Sequence, residues 1–118
     1  FIVYMELKTR NDFQEILKVN PGLIFIKLGA SWCKPCEIIA DVVDEVFSKM
    51  PENTLTFKID VDESFDFYAF LKSKKMVQGI PTLLCYHKGN ESYIPDDSVA
   101  GTDTKQIYDF FRTNLEYL

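Results

Sequence analysis

Ala30-Ser31-Trp32-Cys33-Lys34-Pro35-Cys36-Glu37 stands where an apolar run, Leu23 to Leu28, gives way to a helical pattern from Glu37 to Phe47. That junction puts Cys33 at a helix start. Its sulfur there faces unpaired backbone N–H groups and the positive end of the helix dipole, which favour thiolate over thiol. Thiolate is the form that attacks a disulfide. Cys36 follows about one helical turn later, near enough to close a ring with Cys33 once a mixed disulfide has formed. Redox exchange is therefore the first expectation.

Working outward, the helix after Trp32 carries Ile38, Ile39, Val42, Val43, Val46 and Phe47 at helical spacing, a stripe expected in the core. Leu23-Ile24-Phe25-Ile26 reads as a central strand covered on both faces. Leu55 to Val61 alternates with period two and gives a parallel strand-helix-strand unit. Upstream, Tyr4 to Lys8 reads as a short edge strand. Thr9 or Asn11 then caps a helix with Phe13, Ile16 and Leu17 on one face, and Asn20-Pro21-Gly22 ends it. Downstream, Ser64 caps a helix through Phe65, Tyr68, Phe70 and Leu71, and Lys72-Ser73-Lys74-Lys75 reads as its solvated basic end. Gly79-Ile80-Pro81-Thr82 opens a strand from Leu83 to Tyr86, and a cis bond fits Pro81 at a strand start. His87-Lys88-Gly89-Asn90 reads as a hairpin turn into Ser92-Tyr93-Ile94, and Pro95-Asp96-Asp97-Ser98 as a surface loop. Thr102 or Thr104 caps a last helix with Ile107, Phe110, Phe111 and Leu115 inward. The order predicts an α/β fold with a central mixed sheet of about five strands flanked by about four helices.

The 118 residues fit one domain, 1–118, and 47% hydrophobic with 14% aromatic residues suffice for a core without disulfide staples. A net charge of −5 argues against nucleic-acid or anionic-membrane binding. Phe1-Ile2-Val3-Tyr4-Met5 is too short for a signal-peptide core or a membrane span. Three cysteines, an odd number, do not form a secreted framework. We expect a soluble monomer in the cytoplasm, or in an organelle if a targeting segment was removed ahead of Phe1.

Three motifs, Trp32-Cys33-Lys34-Pro35-Cys36 after a buried strand, Gly79-Ile80-Pro81-Thr82, and Val99-Ala100-Gly101 before a final helix, together resemble the thioredoxin family over essentially the whole chain. The resemblance implies the thioredoxin fold and a thiol-disulfide oxidoreductase active in electron transport and cell redox homeostasis, with no bound cofactor or metal of its own. It implies that Cys33 attacks a substrate disulfide and Cys36 resolves the mixed disulfide. It implies disulfide-containing protein substrates and an NADPH-dependent thioredoxin reductase as electron donor. Pro81 would be cis, and Trp32, Ile80, Pro81, Val99, Ala100 and Gly101 would receive an extended substrate segment.

Other residues would tune the pair. Pro35 stiffens the first helical turn at little cost. Lys27 stands where many family members carry a buried aspartate that assists proton transfer at the second cysteine. A charged ammonium there favours thiolate at Cys36, although Lys27 also reads as a side chain with only its stem buried. Lys58 matches a lysine of some family members, and Lys34 replaces the usual glycine. Lys58 with Lys27 would make the site unusually positive, and Lys34 next to Cys33 would make the disulfide more oxidising, unless it is merely exposed and screened. Asp60 and Asp62 read as substitute proton carriers or as offsets to the lysines.

Cys85 reads as a small core residue and His87 as exposed near its hairpin. A zinc set of Cys33, Cys36, Cys85 and His87 fits ligand chemistry, but a strand starting at Pro81 carries Cys85 away from the Cys33 end. The segment between Gly89 and Gly101 reads as a lengthened loop with Asp96 and Asp97 at its tip. Two further readings differ in class: a docking module using Trp32, Ile80 and Val99-Ala100-Gly101, and a metal-binding CxxC domain. Retention of both cysteines with tryptophan and proline favours the oxidoreductase.

Overall fold

β1, Leu23–Gly29, is the axis of the computed structural model, which describes residues 5–118. Around it run α1 (Arg10–Lys18), α2 (Lys34–Ser48), β2 (Thr54–Asp60), α3 (Phe65–Ser73), β3 (Thr82–His87), β4 (Asp97–Ala100) and α4 (Thr104–Leu115). The sheet order is β2-β1-β3-β4, with β1 parallel to β2 and the other two pairings antiparallel. The described residues thus hold four strands and four helices rather than five and four. Tyr4 of the expected edge strand lies outside the described residues, and Met5 to Leu7 are not in a strand.

Alternation along β1 divides the core. Ile24, Ile26 and Leu28 join Phe13 and Leu17 of α1 and Phe67 and Leu71 of α3 on one face. Leu23 and Phe25 join Ile39 and Val43 of α2 and Phe110 and Phe111 of α4 on the other. Aromatic edges lock both layers, with Phe13 against Tyr86 at 5.2 Å and Phe25 against Phe111 at 5.1 Å. Ile38 is a correction to the expected core stripe, since it is 64% exposed. It lies beside the Cys36-Ile39-Val43 face that α2 turns inward, and one helix cannot bury so wide a stripe against one sheet.

The helix starts follow their side chains. Thr9 and Asp12 form a reciprocal capping box on α1. Asp66 accepts the Arg10 backbone N–H at 2.8 Å and its guanidinium at 3.3 Å, tying α1 to α3. Ser64 holds the N-cap position of α3, but its hydroxyl makes no capping bond. On α4 the cap is Asp103, which accepts from Lys105 and Gln106, rather than Thr102 or Thr104. Thr104 is already inside the helix and Thr102 stops short of it, while a carboxylate also answers the positive helix end. The basic end of α3 is exposed as expected, with Lys72 lying over Tyr68 and Lys74 over Tyr93.

The second hairpin strand is displaced from its expected place. Residues 88–96 form a loop, and pairing begins at Cys85 with Asp97. Side chains take the backbone groups that a strand at Ser92 to Ile94 would have used: Asn90 donates to the Ile94 carbonyl and accepts from Ser92 N–H, and Asp96 accepts from His87 N–H. Ile94 is exposed in consequence. Asp97 accepts from the buried Asn114 amide, so both aspartates anchor the loop instead of standing at its tip. His87 is half-buried, its Nε2 at 2.8 Å from Asn114 Oδ1 and its ring 4.4 Å from Tyr117, not exposed as expected.

A methyl group on Gly22 would meet the Asn53 carbonyl oxygen at 2.6 Å and Leu118 Cδ2 at 2.8 Å. Gly22→Ala is therefore expected to lower stability by about 1–3 kcal/mol, read as a drop in the urea unfolding midpoint at unchanged slope. Backbone N–H groups hold the carboxyls of Asp12 and Asp66 below their usual 3.8. What they contribute is present above that value and lost as pH falls through their lower folded values. The protection of amides in the first turn of α1, relative to their intrinsic exchange rates, should fall over that window, and Asp66→Asn should remove part of the fall.

Candidate active site

The carboxyl ends of β1 and β2 meet the start of β3 and the end of β4 at one edge of the sheet. Gly29 pairs with Asp60, Leu28 with Thr82, and Thr82 with Ala100. Val61 N–H closes on Gly29 carbonyl at 2.9 Å, and Gly101 N–H on Pro81 carbonyl at 3.1 Å. The sequence motifs, far apart in the chain, therefore share this end. Gly101 takes φ +94°, a left-handed angle that suits glycine, as the chain leaves β4.

Cys33 is the N-cap of α2, and its Sγ accepts the Cys36 backbone N–H at 3.2 Å. Pro35 sits in the first turn, where its missing donor costs nothing. Cys33 and Cys36 form a disulfide with Cα atoms 5.3 Å apart, and each residue is only 5% exposed. Trp32, beside them, is 66% exposed, and its indole N–H donates to Asp62 Oδ2 at 2.7 Å. The same turn is shaped by Asp60, whose Oδ1 accepts from Asp62 N–H at 2.8 Å and from Glu63 N–H. Asp60 is thus engaged in holding the turn, and Asp62 in orienting the indole. The indole bond was not legible in the sequence, since its partners are thirty residues apart and neither side chain is peculiar to it.

The Ile80–Pro81 bond is cis, Pro81 is buried and Ile80 half-buried, and Thr82 Oγ donates to Gly79 carbonyl at 2.6 Å to close the turn. Ala100 and Gly101 are exposed on the same rim. Val99 is different: its side chain joins the layer around Phe110 and Phe111 and faces the core.

Beneath the disulfide lies a cleft of about 310 Å³ lined by Lys27, Gly29, Ser31, Cys36, Lys58 and Asp60 among others. Lys58 Nζ meets Asp44 Oδ1 at 3.1 Å, an exposed pair. Burial pulls the Lys27 ammonium below its usual pKa; Asp44 opposes this and Lys58 adds to it. Lys34 points outward at 88% side-chain exposure and meets Glu37 at 3.8 Å, so solvent and that carboxylate share its charge.

Cys85 lies fully buried in β3 opposite Phe25, three pairings from the Leu28–Thr82 end, which separates Cys85 and His87 from the Cys33–Cys36 pair. Burial, with Asp96 and Asp97 nearby, pushes its thiol far up. Among the described residues no group of three or more His, Cys, Asp or Glu side chains is placed to hold a metal ion.

The chain matches the family model described as Thioredoxin over residues 4–113. It is 31% identical over 102 residues to a thioredoxin of Pseudomonas aeruginosa, covering 86% of this chain and 87% of that one. It is 32% identical over 102 residues to a thioredoxin of Geodia cydonium, with 84% and 92% covered. The solved structure of Fasciola hepatica thioredoxin superposes with a TM-score of 0.74 at 26% identity, over 92% of this chain and 96% of the other.

Thiol accessibility sets Cys85 apart from the exchanging pair. In the reduced protein, iodoacetamide is expected to label Cys33 first, and Cys85 on the order of a hundredfold more slowly until denaturant is added. Peptide mapping of the alkylated chain reads both rates.

Proposed function

The chain belongs to the thioredoxin family and is a dithiol-disulfide oxidoreductase, and from that premise we propose that it works as a reductase of protein disulfides. Proteins of this family reduce disulfide-containing substrates and are themselves reduced by thioredoxin reductase. The finer reading is a cytoplasmic monomer recharged at the expense of NADPH through such a reductase. The observation that carries the disulfide-exchange proposal itself is Cys33 at the N-cap of α2, with the Cys36 N–H on its sulfur and Cys36 at disulfide distance.

In this reading Cys33 thiolate attacks one sulfur of the substrate disulfide, and the other substrate sulfur leaves as thiolate. Cys36 then attacks Cys33 Sγ, the bond from Cys33 to substrate breaks, and the second substrate thiolate departs. The Cys33–Cys36 dithiol has been oxidised by two electrons and the substrate disulfide reduced by two. Backbone N–H groups at the helix start favour the attacking thiolate. The exposed Trp32 face, Ile80, Pro81, Ala100 and Gly101 supply the platform for an extended substrate segment. Val99 supports that platform from below. Of the expected tuning residues, Lys34 acts weakly because its charge is exposed and shared with Glu37.

A redox titration of the Cys33–Cys36 pair in thiol buffers tests the direction of exchange. A midpoint near about −270 mV is expected of a reductase, and one near about −180 mV would mark an isomerase or oxidant instead. Lys34→Gly should shift the midpoint by less than about 30 mV. Cys33→Ser should abolish turnover of a disulfide-bonded test protein, while Cys36→Ser should accumulate a mixed disulfide through Cys33, detected by mass.

A further inference from the structure

The floor of the cleft under Cys36 is built around one side chain. A methyl group placed on Gly29 would meet Cys36 Sγ at 3.4 Å and Lys27 Cε at 4.0 Å, so the sulfur and the lysine side chain both border the space that glycine leaves. Lys27 shares its face of β1 with Phe25 and Gly29, and period-two alternation directs it under α2. The charged groups around it are Lys58 and Asp60 from β2 and Glu37 and Asp44 from α2; β3 opposes it with Leu83. Three of the four have partners of their own. Lys58 and Asp44 pair with each other, and Glu37 meets Lys34 at the surface. Asp60 spends one carboxylate oxygen on two backbone N–H groups. Lys27 makes no ion pair among the described residues.

We propose that Lys27 is a positioning residue for resolution, acting through Cys36 by holding a positive charge against its sulfur so that the thiol ionises when the mixed disulfide must be broken. The inference rests on the oxidoreductase reading and specifies how its second step runs. Cys36 S–H gives its proton to solvent in the open cleft, and the thiolate electron pair forms the Cys33–Cys36 bond. The bond between Cys33 and the substrate sulfur breaks, and the substrate leaves as thiolate. Lys27 keeps its proton throughout. A half-buried ammonium gains more than a surface one when an anion forms next to it; burial lowers the Lys27 pKa, Asp44 opposes this and Lys58 adds to it. Gly29 belongs to the same arrangement, because a side chain there would pack against both Cys36 Sγ and Lys27 Cε.

Reduced protein mixed with an aromatic disulfide whose thiolate is coloured reads the two steps separately. The first colour phase is attack by Cys33, and the second is resolution by Cys36. Followed against pH, the second phase in Lys27→Met should be about tenfold slower at neutral pH, with its inflection about one unit higher. Lys27→Arg, which keeps the charge, should restore both. A second phase with unchanged rate and inflection in Lys27→Met would overturn the inference. So would Lys27→Arg behaving like Lys27→Met, since packing rather than charge would then be at work. A wild-type chain with no first phase would overturn the oxidoreductase reading together with this one.

Discussion

β1 cannot be moved without moving everything at the redox end. Its seven residues pair with β2 on one side and β3 on the other, and both of its faces are covered by helices. A strand held on four sides has one register, because a slip by one residue would send Leu23 and Phe25 to the layer filled by Ile24 and Ile26. That register delivers Gly29 against Cys36 and fixes how far Ala30 stands from Cys33 N–H, which closes on its carbonyl at 3.2 Å. The rigidity of the exchanging loop is thus inherited from a hydrophobic strand, not generated by the loop itself.

Charge at the site is arranged in depth. Outermost, Lys34 and Glu37 face water and largely answer each other. At the rim, Asp62 holds the Trp32 indole, and Asp60 holds the turn that presents Asp62. Innermost stands Lys27, with no carboxylate bonded to it among the described residues. Screening by solvent should weaken in the same order, since it falls with burial. Local sequence distance to the cysteines is therefore a poor guide to depth: Lys34 adjoins Cys33 in the chain and faces water, whereas Lys27 is half-buried.

Much of this was legible in the sequence because it depends on local rules. The apolar run of β1, the helical spacing after Trp32, and proline next to the second cysteine each signal their own geometry, and they place Cys33 at the N-cap without tertiary information. What was missed depends on competition or on distance. Ile38 had the right spacing for a core residue but lost to its neighbours for a limited inward face. Ser92 to Ile94 had strand-like composition, yet Asn90 and Asp96 captured its backbone. Val99 belonged to a family motif, and only the strand alternation of β4 shows that it turns toward α4. The Asp62–Trp32 bond joins two elements whose proximity is a property of the sheet alone.

At the opposite end of β3, the amide of Asn114 sets a direction. Its nitrogen donates to both Asp97 and the Phe110 carbonyl, which leaves its oxygen as the acceptor for His87. His87 must then carry hydrogen on Nε2, and the imidazole tautomer is fixed by a neighbour two elements away in sequence. Its other nitrogen, Nδ1, faces Asp96 at 4.0 Å with a lone pair. His87 thus stitches β3, the loop and α4 into one seam through two directed bonds, its backbone N–H to Asp96 and its ring to Asn114.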